Sequence, residues 1–225
     1  MDVSLIIPAL NEAACIGPLL AELPAGLVQQ VLVVDNGSTD DTAAAARRAG
    51  AQVVGEPRRG YGAACAAGVA AATGDVLVFM DGDGSFIPGE LDRLLAPIVH
   101  GAADLALGSR LRGGMARGAM PPHQRFGNWL VARLMYLLYD VRLTDLGPFR
   151  AVRRDLLAAL DMREHTYGWP VEMIVKAARR RARIVELPVS YRPRMAGRSK
   201  VGGTVHGTVR ATYRILRTTL RYAGR

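Results

Sequence analysis

Short, unbroken apolar runs recur along the chain, each released into a polar turn. The clearest is Val76-Leu77-Val78-Phe79-Met80, followed at once by Asp81-Gly82-Asp83-Gly84-Ser85. A run of this length, rich in β-branched and aromatic residues, reads as a strand buried on both faces. Val3-Ser4-Leu5-Ile6-Ile7-Pro8 and Val31-Leu32-Val33-Val34 repeat the pattern, and Gln52-Val53-Val54 and Asp104–Gly108 are further strands. Proline cannot donate to a ladder, so Pro8 is expected to end the first strand. Helices are expected between the strands: from Asn11-Glu12 to about Leu20 with Asn11 as cap, over Asp41–Ala49, and over Tyr61–Ala72. After Pro88, residues Leu91, Leu94, Leu95 and Ile98 fall at i, i+3, i+4 and i+7, an amphipathic helix. The alternation predicts an α/β fold, a doubly wound and mostly parallel sheet over residues 1–108 with helices on both faces.

The pattern changes in the second half. Residues 109–127 hold Gly113-Gly114, Gly118, Pro121-Pro122 and four arginines, and are expected to form a mobile basic lid. Asn128–Tyr139 is apolar on nearly every side with Arg133 its one charge, a helix either buried all round or partly sunk in lipid. Thr144–Val152 leads into a strand and a short helix, and Tyr167–Arg181 is a helix carrying Glu172. Ile184–Leu187 and Val189–Tyr191 are short strands split by Pro188. In the closing helix, Thr204–Tyr222, Arg210, Arg214, Arg217 and Arg221 form one stripe and Val205, Val209, Leu216 and Leu220 another. That pairing suits an interfacial helix on anionic lipid, or a helix packed on the core with a solvated basic face.

Charge sharpens this division. The net charge is +9, but residues 1–175 balance at −4 and residues 176–225 at +13, with Glu186 the single acid there. A segment so basic seeks phosphates, whether of nucleic acid, a membrane surface or a phosphorylated substrate. Nucleic acid fits poorly, because the tail offers just Tyr213 and Tyr222 for stacking and matches no recognition motif. Cys15 and Cys65 lie in Ala-rich helical patterns and read as small buried fillers in a reducing compartment. The start, Met1-Asp2-Val3-Ser4, lacks the basic region of a signal peptide, and no stretch of about 18 uncharged apolar residues suggests a membrane span.

Candidate chemistry gathers after the strands. Asp81 and Asp83, spaced i and i+2 past a buried strand, can both point at one hard divalent cation. An acidic surface turn is the plain alternative. Gly82 and Gly84 leave room for the backbone to approach a bulky ligand. Asp35 ends the second strand in the same way, so acidic turns converge on one crevice. The first strand–helix turn, Pro8-Ala9-Leu10-Asn11-Glu12, has no Gly-x-Gly-x-x-Gly, and no Walker A loop occurs.

Three blocks in order, S-L-I-I-P-A-L-N-E at 4–12, V-V-D-N-G-S-T-D-D-T at 33–42 and M-D-G-D at 80–83, resemble family 2 glycosyltransferases of the GT-A fold. The second half is similar to polyprenyl-phosphate sugar transferases of the dolichyl-phosphate mannose synthase type. That likeness rests on Gly108-Ser109-Arg110, Arg125 before an apolar helix, Gly147-Pro148-Phe149-Arg150 and Gly197-Arg198-Ser199-Lys200. The sequence departs from that type in the proline inserted at 148 and in Ser85, where mannose synthases often carry Gln. The resemblance implies a glycosyltransferase domain over 1–203, with a nucleotide-sugar half to 108 and an acceptor half beyond, and a basic interface helix at 204–225. It implies a UDP- or GDP-sugar donor held by Pro8, Ala9, Asn11, Glu12, Asp35, Gly37, Ser38, Arg59, Gly60, Asp81 and Gly82. Mg²⁺ or Mn²⁺ would sit on Asp81 and Asp83, with Asp83 catalytic.

A polyprenyl phosphate acceptor would be held by Arg110, Arg125, Arg198, Ser199 and Lys200, and the protein would lie peripherally on the cytoplasmic membrane face. Such an acceptor is already an anion and needs cations rather than a base, and arginine forks match phosphate oxygens. A soluble hydroxyl acceptor would instead recruit Glu172 or Asp145 as base, and a non-catalytic nucleotide-sugar binder would keep the same strands and aspartates.

Overall fold

The computed structural model describes residues 1–197 and 205–223, the side chains of the second stretch from 212 onward. Seven strands, β1 (Val3–Ala9), β2 (Gln30–Asp35), β3 (Gln52–Gly55), β4 (Val76–Phe79), β5 (Leu105–Ser109), β6 (Arg150–Arg153) and β7 (Ile184–Pro188), form one sheet. Their order is β3-β2-β1-β4-β6-β5-β7. The described helices are α1 (Ala13–Ala21), α2 (Thr42–Arg48), α3 (Tyr61–Ala71), α4 (Leu91–Val99), α5 (Pro122–Tyr139), α6 (Arg154–Leu160), α7 (Trp169–Arg179) and α8 (Val205–Arg221).

The unbroken apolar runs have a direct cause: alternate residues feed two cores. Val3, Leu5 and Ile7 of β1 and Val76 and Val78 of β4 join the core beneath α1, α2 and α4. Ile6, Leu77 and Phe79 join the core beneath α3, α5, α6 and α7, onto which Ile215, Leu216 and Tyr222 of the α8 region also pack. With no face left to water, polar alternation has no place.

The expected mostly parallel α/β sheet is present, with one departure. β6 runs antiparallel between β4 and β5, so β5 is not β4's neighbour. Four local expectations need correction. Pro8 does not end β1, because it pairs beside Val34 on the β2 side and its missing N–H falls on the other side, where β4 pairs no further than Ile6. Asn11 does not cap α1; it has φ +52°, and its Oδ1 accepts from Thr39 N instead. The 109–127 segment is not loop throughout, since α5 starts at Pro122, where proline's fixed φ suits a first helical position. Val189–Tyr191 is not a second strand; β7 runs through Pro188, and Tyr191 makes isolated bridges to Phe86 and Met115.

Candidate active site

β6 enters the sheet at the edge where its parallel neighbours end, so six loops meet there. β1 lies between β2 and β4, where the strand order reverses and open α/β sheets form their crevice. On the β1–β2 side, Asp35 Oδ1 accepts from Ser38 N (2.9 Å) and Ser38 Oγ accepts from Asn11 N (2.9 Å). Glu12 N donates to Thr42 Oγ1 (2.8 Å), and Ala9 O accepts from Asn36 N (2.9 Å). The buried Asn36 pins the third loop to these two: Nδ2 donates to Glu56 O and Arg58 O, and Oδ1 accepts from Gly60 N. Arg59 lies along Gly37, where an added Cβ would stand 3.3 Å from its Nε. Gly60, at φ +154°, backs onto the carbonyl of His165, which a Cβ there would strike. Pro8, Ala9, Asn11, Glu12, Asp35, Gly37, Ser38, Arg59 and Gly60 are thus brought to one rim.

The acidic turn after β4 forms the floor. Ser85 N donates to Asp83 Oδ1 (3.0 Å), and Gly82 packs against Ile7. Burial pushes the Asp81 carboxyl up to about 7; Asp83 and Glu12 push the same way, while Arg110 and Arg150 oppose them. Residues 191–197 cross this turn as a strap. Arg192 N donates to Ser85 O and Met195 N to Asp83 O, both at 3.0 Å, and Arg192 Nε reaches Gly84 O at 2.6 Å. Gly84, at φ +74°, makes room for the Met195 side chain rather than for open space.

From the strap, Arg194 Nη2 donates to both Glu12 oxygens at 2.8 Å, and its Nη1 stands 3.9 Å from Asp83 Oδ2. A guanidinium therefore sits among the carboxylates of the crevice. Among the described residues no three His, Cys, Asp or Glu side chains form a ready metal cage. Two aspartates in one turn fit a hard cation that takes its remaining ligands from phosphate and water.

The acceptor-side residues behave differently from one another. Arg110 N and Nε donate to Asp145 Oδ2 (3.0 and 2.7 Å), and Nη2 donates to Oδ1 (2.8 Å). Its guanidinium also lies 5.1 Å over the Tyr191 ring, and the Asp145 charge raises its pKa despite burial, which opposes it. Arg110 is therefore a fixed cation in a wall, not a loose one. With Met115, Arg117, Met120 and Arg125 it lines a cleft of about 430 Å³. Arg198, Ser199 and Lys200 lie outside the described residues.

Both carboxylates considered as bases are committed. Asp145 is fully buried and also accepts from Asn128 Nδ2 (2.9 Å) and Leu146 N (2.8 Å). Glu172 is buried and accepts from Glu164 N (2.7 Å), Arg163 N (3.0 Å), Tyr222 OH (2.7 Å) and Lys176 Nζ (2.8 Å).

Four residues of this region had no role assigned from the sequence: Asn36, Arg150, Tyr191 and Arg194. Arg150 is buried, donates to the carbonyls of Leu146, Gly147 and Pro170, feels the Asp81 charge, and is pushed down to about 10 by burial, so it stays charged near neutral pH. The one signal available in the sequence was for Asn36 and Arg150, which fall inside the recognised blocks.

A nucleotide-type crevice at the switch point of an α/β sheet, floored by Asp-x-Asp, defines the class of protein. Residues 4–161 match the model of Glycosyl transferase family 2. The chain belongs to that family and is a glycosyltransferase. It is 42% identical over 207 residues to an uncharacterized glycosyltransferase of Mycobacterium bovis, covering 92% of this chain and 93% of that one. It is 34% identical over 221 residues to an undecaprenyl-phosphate mannosyltransferase of Micrococcus luteus, covering 92% and 90%. Its fold is similar to glucosyl-3-phosphoglycerate synthase of Mycobacterium tuberculosis, solved with Mn²⁺, UDP and glucosyl-3-phosphoglycerate. That likeness has a TM-score of 0.81 at 26% identity and covers 99% of this chain and 80% of the other. The GT-A glycosyltransferase fold is thus the one observed.

Proposed function

We propose that the protein transfers a hexose, with inversion, from a UDP- or GDP-sugar to a polyprenyl phosphate. The donor's base and ribose are held along the rim by Pro8, Ala9, Asn11, Glu12 and Asp35, with Gly37, Ser38, Arg59 and Gly60 bordering them. Asp35 suits hydroxyl or base donors because a carboxylate accepts several hydrogen bonds. Asp81 and Asp83 hold Mg²⁺ or Mn²⁺, with Gly82 keeping the turn close, and the cation when bound neutralises charge on the departing diphosphate. An acceptor phosphate oxygen then attacks the anomeric carbon as the bond to the nucleoside diphosphate breaks. Arg110 and Arg125, with Arg198, Ser199 and Lys200, bind and orient that phosphate.

The observation that carries the acceptor class is the cleft. It is lined by Arg110, Arg117 and Arg125, while Asp145 and Glu172 are buried in bonds of their own. A cleft lined by arginines, with Asp145 and Glu172 both engaged in bonds of their own, suits a nucleophile that is already an anion. The name of the Micrococcus relative supports the same reading. The similarity to a synthase bound to glucosyl-3-phosphoglycerate favours a second reading, a soluble phosphorylated acceptor attacking through a hydroxyl. That reaction needs a base that neither Asp145 nor Glu172 is placed to be.

The test is nucleoside diphosphate release from a panel of UDP- and GDP-sugars with Mg²⁺ or Mn²⁺, with a polyprenyl phosphate, a phosphorylated hydroxyl acceptor, or neither. Release that requires the polyprenyl phosphate supports the proposal. Release with the hydroxyl acceptor alone overturns its acceptor half, and no release with any donor would leave a nucleotide-sugar binder.

A further inference from the structure

We propose that the outward face of α5 docks on an anionic lipid bilayer, with Phe126 and Trp129 as the pair that enters it. The inference deepens the lipid-phosphate reading above and rests on it. α5 buries Val131, Ala132 and Met135 on its inner side, where it packs against α7 and α8. The opposite side carries Phe126 (62% exposed), Trp129 (57%) and Leu137 (63%), with Arg133 exposed between them. Positions 126, 130, 133 and 137 follow the i, i+4, i+7, i+11 spacing of one helical stripe. The Phe126 and Trp129 rings stack on each other, centroids 5.8 Å apart. Large apolar side chains gathered on one exposed helix face, here two stacked rings and a leucine around an arginine, mark an interaction surface.

Charge and position identify the partner. α5 contains no acidic residue, while Arg125 and Arg133 lie on it and the Arg133 and Arg142 guanidinium groups sit 5.7 and 5.4 Å over the Tyr136 ring. Aromatic rings beside arginines suit the headgroup level of an anionic membrane. A second copy of the same face would set arginines against arginines across a two-fold axis, which disfavours self-association. α8 is also free of acids, and Tyr139 OH on α5 donates to Thr219 O of α8. Its exposed side chains include Tyr213, Arg217 and Leu220. The stripe also adjoins the site: Arg125, next to Phe126, lines the arginine cleft.

The chain has two tryptophans, and Trp169 is 3% exposed, so an emission change on vesicles reports Trp129. The full chain would be mixed with vesicles of phosphatidylcholine alone or with phosphatidylglycerol. The expected result is a blue shift, and quenching by brominated acyl chains, with the anionic vesicles. Serine at both positions (Phe126→Ser with Trp129→Ser) should weaken partitioning by roughly tenfold or more per ring. Trp129→Phe should keep binding while losing the shift. Binding to neither vesicle overturns the proposal, as does a double variant with an unchanged melting curve that binds like the parent. A dimer in sedimentation that the double variant dissociates would reassign the face to self-association. Transfer to a short, water-soluble polyprenyl phosphate separates the two readings. Transfer retained by the double variant while docking is lost supports both, and vesicle docking without transfer to any lipid phosphate leaves this surface standing and ends the acceptor reading.

Discussion

Arg194 and Asp83 set the electrostatics of the crevice between them. The guanidinium bridges Glu12 and stands 3.9 Å from Asp83, in the place where the proposed cation would also find its charge. Two predictions belong at this scale. Asp83→Asn should lower kcat by about 10³-fold or more, the loss of several kcal/mol of charge stabilisation, with an unchanged melting temperature. Arg194→Met removes a competing positive charge, so Mn²⁺ measured by calorimetry without donor should bind roughly tenfold more tightly. Weaker Mn²⁺ binding in that variant would mean that Arg194 organises the carboxylates rather than competing at them.

Among the elements, the joint between α7 and α8 depends on Glu172. Burial pushes its carboxyl up, but Lys176, the Glu164 and Arg163 amides and the Tyr222 hydroxyl outweigh burial and hold it below the usual glutamate value of 4.5. Its stabilising contribution is therefore complete above that value and is lost as pH falls through the lower folded one. Melting temperatures measured across the acid range should fall below pH 4.5, and Glu172→Gln should flatten that fall. At neutral pH the same substitution should cost about 1–3 kcal/mol, because it leaves buried donors without their acceptor. Of the apolar stripe expected on α8, the side chains of Val205 and Val209 lie outside the described residues, and the other two part company. Leu216 turns toward the core with Ile215 and Tyr222, while Leu220 is exposed.

For the whole molecule, α8 is part of the folded body as well as a candidate interface. It covers the α3–α7 side of the sheet, and its end supplies Tyr222 to Glu172 and a carbonyl to Arg179. Deleting residues 205–225 should lower the melting temperature by roughly 5–10 °C, as a loss of a few kcal/mol does in a chain of this size. An unchanged melt would show that α8 adds nothing to the fold. Membrane binding is therefore better tested by substitutions on α5 than by truncation.

The sequence by itself determined most of the strands, the α/β class and the Asp-x-Asp turn, because each is written in a local pattern: apolar runs, turn residues, and short blocks of fixed spacing. It also placed the candidate donor residues on successive strand ends, which the parallel sheet then gathers. Only the tertiary structure decided that β6 inserts antiparallel beside β4, that Arg110 is anchored to Asp145 across 35 residues, and that Arg194 reaches Glu12 across 182. No local period encodes such partners. An arginine reads the same in sequence whether it faces water, a phosphate or a buried carboxylate, and chain closure over long separations, driven by core packing, chooses among them.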